Sequence, residues 1–329
     1  MFRRWLIPCL LLLALLASAC RETGVGPTAM PSHAQAPPSH MASKTAVIQT
    51  TPIKVATSLP SPVAADDELP QPDIAALHQV MLKAINADRA AHGLSPVAWD
   101  ETAARAGQAH AEEMASAGYF SHWDLSGHGP DYRYAQAGGQ DAVMENIYTY
   151  WYRYDDGRPA PIEDWEWVIR EAEASLMQSP GHRKNILDPA HTHVGVGIAY
   201  NPATGDVRIT QEFVNRYVAL RPLPTAVSLG TEVVLRGELL PGASEPLINL
   251  AYEPFPQPLS LEELRTMGTF VSPAEIYQAI TPVVAGQHFE AAFPLDYDER
   301  PGLYHVRIWV QVGGQRVPAV DIIVTIDVR

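Results

Sequence analysis

Val194-Gly195-Val196-Gly197-Ile198-Ala199-Tyr200, then Asn201-Pro202-Ala203-Thr204-Gly205-Asp206, then the run Val207 to Val214 read as strand, turn and strand. Upstream, the texture is helical. Ile74, Leu77, Met81, Ala84, Ile85 and Asp88 follow three-and-four spacing from Asp73 to a stop near Gly93. A second helix is expected after Asp100, whose side chain can cap it, through Ala103, Ala106, His110 and Met114 to Gly118. A third fits Glu163 to Met177 and must stop near Ser179-Pro180-Gly181, because proline disfavours helix in the residue before it. Helices around a small antiparallel sheet predict an α+β, three-layer α-β-α domain.

Beyond Arg221-Pro222-Leu223-Pro224 the pattern alternates. Tyr304, Val306, Ile308, Val310 and Val312 share one strand face, Gly313-Gly314 is a turn, and Val320, Ile322, Val324, Ile326 and Val328 share the next face. With Thr231 to Leu239 as a further strand, residues 225–329 are expected to form an all-β sandwich of immunoglobulin-like type. Ser260-Leu261-Glu262-Glu263 and Ser272-Pro273-Ala274-Glu275 are capping-box patterns that predict a short helical insertion.

The N-terminus reads as an export signal over residues 1–19, with Arg3 and Arg4 before the apolar run Leu6 to Leu16. Leu16-Ala17-Ser18-Ala19-Cys20 resembles a lipoprotein box, and loss of Cys9 with the signal would leave Cys20 as a solitary thiol, so lipidation at Cys20 and attachment to a membrane are expected. Ordinary secretion after Ala19 is the alternative. Residues 20–70, rich in Pro, Ala, Ser and Thr, read as a disordered tether, followed by a domain over 71–221. The 329 residues, 47% hydrophobic, are enough for two cores. A formal charge of −14 argues against nucleic acid as a partner, because phosphate chains are gripped by basic patches. The chain is expected to be a monomer.

Several segments carry a resemblance in their order: Ile85-Asn86-Ala87-Asp88-Arg89 with Gly93-Leu94, Trp99-Asp100, Gly118-Tyr119-Phe120-Ser121-His122, Glu145-Asn146-Ile147, Ser179-Pro180-Gly181-His182-Arg183 with Asn185-Ile186-Leu187, and Thr210-Gln211-Glu212-Phe213. Between Leu77 and Val214 the chain resembles the CAP superfamily, or SCP domain, named for cysteine-rich secretory proteins, antigen 5 and plant pathogenesis-related class 1 proteins. The resemblance implies an α-β-α sandwich with a central antiparallel sheet and a cleft lined by His and acidic residues. It carries His122, Glu145 and His182 onto three of the family's four cavity positions. Ser179 stands where many members have a second Glu, and Glu171 and Glu173 lie earlier on the same helix.

Two imidazoles and a carboxylate can hold a divalent ion such as Zn, can move protons, or can simply pair to knit loops to a sheet. Asn146 reads as a residue that bonds loop backbone, beside the cleft. His191 and His193 are a second possible metal pair, better read as a surface pair. Tyr148, Tyr150, Trp151, Tyr152 and Tyr154 can line a groove or cover a sheet edge. The resemblance implies a binding module for a small apolar or glycan ligand, exported to the cell envelope or beyond it. The other readings are a metal-assisted hydrolase, which lacks an HExxH signature, and a structural or adhesive envelope protein.

Overall fold

A computed structural model describes residues 72–154 and 157–327. The export signal, Cys20, the whole of the expected tether over residues 20–70 and Val328 lie outside the described residues. Helix α1, Ile74–Ala91, begins where Asp73 accepts from the Ala76 amide. After the short strand β1, Ala98–Trp99, helix α2 runs Glu101–Ala117, capped by Asp100 Oδ1 on the Ala103 amide at 2.7 Å and closed by Gly118 in the left-handed region. Helix α3, Pro130–Gln136, strand β2, Ala142–Trp151, helix α4, Trp165–Gln178, and helix α5, Pro180–Ile186, lead into β3, His193–Asn201, and β4, Asp206–Asn215.

These strands form a sheet in the order β1-β3-β4-β2, antiparallel except for the β1–β3 pair. The glycine alternation in β3 explains the layering. Val194, Val196 and Ile198 join the core shared with Leu77, Met81 and Ile85 of α1 and Val168, Ile169 and Leu176 of α4. The opposite face meets α2 at backbone distance: a Cβ at Gly195 would land on the Ala104 amide, and one at Gly197 on the Gly107 carbonyl. The alanines of α2 and the glycines of β3 are therefore two halves of one close approach.

The expected helices and the β3–β4 hairpin are present within two residues of the stated limits. Pro180, read as a stop, also opens α5: a proline at the first helical position loses no intrahelical bond, so one residue ends α4 and starts its successor. The aromatic run is mostly strand β2, at the sheet edge.

Strands β5, Val218–Leu220, and β6, Ala226–Ser228, precede β7, Glu232–Leu239, and β8, Ala243–Glu253. Helix α6, Leu261–Thr266, is followed by β9, Glu275–Ile280, β10, Val283–Ala285, β11, His288–Pro294, β12, Gly302–Val312, and β13, Gln315–Asp327. They make two packed sheets, β10-β11-β7-β5 and β6-β13-β12-β8-β9. Their shared core includes Leu235 and Phe293 from one sheet and Leu250, Val306, Ile308 and Val324 from the other. The box at Ser260 is formed in full and starts α6. The pattern at Ser272 does not start a helix, because residues from Glu275 onward are claimed by pairing with β8.

The α-β-α layer and the sandwich share an interface. Asn215 donates from Nδ2 to the Pro318 carbonyl at 2.9 Å, the Asp321 amide to the Gln140 carbonyl at 3.1 Å, and Leu264 of α6 is buried with Met114, Tyr119 and Ile147.

Candidate functional site

The loop after α2 carries His122 and is fixed from beneath. His110 of α2 is buried and its Nε2 meets the Ser121 carbonyl at 2.9 Å. Arg133 of α3 donates from Nη1 to the carbonyls of His122 and His128 at 2.9 and 3.0 Å, and from Nη2 to Glu145 Oε2 at 2.8 Å. The other carboxylate oxygen, Oε1, meets His122 Nδ1 at 2.8 Å. The Glu145 side chain is 1% exposed and that of His122 12%. Burial alone would push the Glu145 carboxyl up; Arg133, His110 and His122 more than reverse this and hold it well below the usual carboxylate range.

Glu145 stands opposite Glu212 in the β2–β4 ladder. Burial, and then the Glu145 charge, push the Glu212 carboxyl well above its ordinary value, so the pair holds one negative charge and one proton. His110 Nδ1, Arg133 Nε and Glu212 Oε2 are buried without a hydrogen-bond partner among the described residues. Arg133, His110 and Glu212 escape a sequence reading because only the fold brings α2, α3 and β4 to one place. Glu212 stood in the segment Thr210-Gln211-Glu212-Phe213 that carries the resemblance, but nothing in the sequence set it beside Glu145.

His182 lies at the start of α5, whose backbone is tied to β2 through Asn146. Burial lowers its pKa, and the His122 imidazole lowers it further. Asn146 donates to the His182 carbonyl at 3.3 Å and to Gln211 Oε1 at 3.1 Å, and it accepts from Asn185 Nδ2 at 3.1 Å. Its role is the bonding of backbone and neighbouring amides. Gln211 continues the chain to Glu173 Oε2 at 2.5 Å, and burial pushes the Glu173 carboxyl up to about 8. Ser179 forms the joint between α4 and α5; among the described residues its backbone makes hydrogen bonds and its hydroxyl makes none to the cleft. Glu173, not Ser179, is the acidic residue of this segment that reaches the buried network.

The expected metal set does not fit this arrangement. Both Glu145 oxygens are engaged, one by a guanidinium whose charge opposes a cation. Among the described residues, His122, Glu145 and His182 do not bring their ligating atoms within 4.8 Å of one another as a set. No metal-assisted step is derived from them. His191 also differs from its expected surface position: it is buried, stacks on Phe213 with centroids 4.9 Å apart, and contacts Asn215 and Asn185 at 2.8 and 2.9 Å. It is a core histidine, while His193 opens β3.

From Asn146 the same face of β2 continues through Tyr148 and Tyr150. Tyr148 packs against the α1–α4 core, and Tyr150 meets Trp167 of α4 edge-on at 6.3 Å. Trp167 is 45% exposed, and Tyr154 and Trp151 are exposed nearby in sequence.

Residues 82–213 match the family model described as the cysteine-rich secretory protein family. This segment is a CAP domain. Two curated proteins of Bacillus subtilis (strain 168) are similar to it. The uncharacterized membrane protein YlbC is 32% identical over 139 residues, 42% of this chain and 34% of that protein. The uncharacterized protein YkwD is 30% identical over 145 residues, 44% of this chain and 49% of that protein. The chain thus spans half or less of the length of these relatives. An extracellular SCP-domain protein from Bacillus anthracis str. Ames is 25% identical with a TM-score of 0.34, covering 43% of this chain and 41% of its own. No described helix is long and apolar enough to cross a membrane.

Proposed function

We propose that the CAP domain is a binding module for a neutral glycan, held along the face that runs from His182 and Asn146 over Tyr148 and Tyr150 to Trp167. The half-exposed Trp167 ring set edge-on to Tyr150 carries this reading. Pyranose rings present apolar C–H faces that stack on aromatic planes, while their hydroxyls need polar partners at the rim. Glu171, whose charge is felt by both Tyr148 and Tyr150, supplies such a partner. An open face with polar flanks suits a sugar better than a fully apolar ligand, which needs an enclosed pocket. The chain's charge of −14 disfavours polyanions.

The export signal and the box ending at Cys20 support a chain that is exported and held at a membrane by a lipid on that cysteine, with the CAP domain and an immunoglobulin-like sandwich displayed beyond it. Cys20→Ala is expected to move the protein from the membrane fraction to the medium; wild type found wholly in the medium overturns the anchor. For the glycan, wild type is expected to bind insoluble chitin, cellulose or peptidoglycan, and Trp167→Ala is expected to weaken that binding at least tenfold, about the value of a lost stacking contact. Equal retention of the two proteins overturns the assignment of the face.

A further inference from the structure

Strands β8 and β9 are antiparallel neighbours that a turn of a few residues could join, yet the chain places residues 254–274 between them. Pro254, Pro256 and Pro258 fix φ and offer no amide to a neighbouring strand, and the Ser260 box then starts α6. This segment leaves the sandwich and lies over the CAP loop between α2 and α3, which carries His122. The base of that loop is bonded by the CAP domain itself, through His110 on the Ser121 carbonyl and Arg133 on the His122 and His128 carbonyls. Its tip, residues 123–127, turns on Asp124 Oδ1, which accepts from the Ser126 and His128 amides at 2.9 and 2.8 Å. The segment from the sandwich covers that tip. The Leu259 amide donates to the Leu125 carbonyl at 2.9 Å, the Phe270 ring meets Trp123 with centroids 5.1 Å apart, and Leu264 is buried with Met114, Tyr119 and Ile147. A Cβ at Gly129 would land on the Phe270 ring and one at Gly127 on the Gln257 carbonyl, so the two segments leave no room for side chains there.

Both ends of the segment are tied to one buried ionic network in the sandwich. Glu253, which closes β8, accepts from His305 Nε2 at 3.1 Å, and Ser272 Oγ accepts from Arg307 Nη2 at 2.6 Å. Asp321 joins these two ties, accepting from His305 Nδ1 at 2.9 Å and from Arg307 Nε at 2.8 Å. Burial would lower the His305 pKa, but Asp321, Glu253 and Asp131 push it up to about 9, so the imidazole is a cation that donates through both nitrogens. Asp131 of α3 faces the same network, 3.9 Å from Arg307.

We propose that residues 254–274 are a clamp, tied at both ends to the His305–Asp321–Arg307 network, which holds the tip of the His122 loop and makes the sandwich a positioning domain for the CAP cleft. Arg133 sets the base of the loop and the clamp sets its tip. With the clamp lifted, the bonds of Arg133 and Glu145 to the loop remain, but Met114, Tyr119 and Ile147 lose their apolar cover and the tip keeps only its own turn. The loop then opens locally at a lower free energy than the layers around it.

The test is hydrogen–deuterium exchange of the full chain, read by mass spectrometry on peptides covering residues 119–129, with modification of His122 by diethyl pyrocarbonate as a second readout. Leu259→Ala/Phe270→Ala removes two partly buried side chains from the clamp and leaves Leu264 in place. In this variant exchange over 119–129 is expected to quicken about tenfold, and His122 modification to rise with it, while peptides from α1, α4 and β12 exchange as in wild type. Ser272→Ala, which removes one of the two ties, is expected to move the same peptides in the same direction by less, and it carries the test if the double variant does not fold. Wild-type exchange over 119–129 in both variants overturns the clamp. An equal increase across the whole CAP domain overturns it too, because the segment would then support general stability and not the loop.

Discussion

The two faces of α3 look onto clusters made from the same residue types with opposite outcomes. On one, Arg133 and His122 both bond a single carboxylate, Glu145, while the second carboxyl, Glu212, is kept protonated by burial and by Glu145's charge. Its charge is matched, while His110 Nδ1, Arg133 Nε and Glu212 Oε2 have no hydrogen-bond partner among the described residues. On the other, His305 lies between Asp321 and Glu253: burial would lower its pKa, but Asp321, Glu253 and Asp131 push it up to about 9, and Arg307 braces the second Asp321 oxygen at 2.8 Å. Which residues are present says little; how many carboxylates face each imidazole decides whether burial keeps it neutral, as His110 is, or its partners hold it as a cation, as His305 is. The His122–Glu145–Arg133 contacts hold the loop to β2, and under the proposed function ligand contact falls to the aromatic face beside them.

Removing the cation from the Glu145 cluster should have the largest effect. Arg133→Ala leaves Glu145 buried and charged, and a cost of about 3–5 kcal/mol in denaturant unfolding is expected. A loss below about 1 kcal/mol would place the pair in the class of surface ion pairs and break the comparison. Next comes the contact between the sandwich insertion and the CAP domain: Leu264→Ala should cost about 2–5 kcal/mol, because the side chain is buried among Met114, Tyr119 and Ile147. Unchanged stability would mean that α6 does not dock there in solution.

A third expectation concerns pH. Glu173 keeps its proton to about pH 8 in the folded chain, whereas its ordinary value is 4.5. The folded state thus binds more protons in that window, and stability must fall as pH rises through it, at no more than about 1.4 kcal/mol per pH unit from this one group. Glu173→Gln should flatten the decline between those values in chemical unfolding followed across pH. An identical slope in the variant would remove Glu173 as its cause. The smallest effect is expected at Ser260, whose hydroxyl accepts from the Glu263 amide at 3.3 Å; Ser260→Ala should cost about 1 kcal/mol, read as a shift in the unfolding midpoint.

The layered α-β-α part was legible because its signals are local. Gly195 and Gly197 mark a close approach, the alanines of α2 supply the other surface, and Asp73, Asp100 and Gly118 sit at helix ends. Helices α3 and α5 were not, since each is only seven residues long, and α5 opens on Pro180, which was read as a stop. In the sandwich, Tyr304 to Val312 and Val320 to Ile326 declared their faces by alternation, whereas the Ser272 cap pattern was overruled by pairing with β8. His122, Glu145 and His182 entered through resemblance, and their setting could not. Arg133 and Glu212 become visible only when β2 and β4 pair, and Asp131 meets His305 and Asp321 only when two domains dock.

The central claim is that the CAP domain reads a neutral sugar by stacking on its aromatic face, while the His122–Glu145–Arg133 cluster supports that face from behind. It is tested most directly by quenching of tryptophan fluorescence in the full chain as chitotetraose or cellotetraose is added, at about 50 mM and about 500 mM NaCl, between which ionic screening of exposed charges deepens severalfold. The account predicts saturable quenching with the same affinity at both salt concentrations and its loss in Trp167→Ala. Affinity that falls tenfold or more with salt, or quenching that persists in Trp167→Ala, would contradict it.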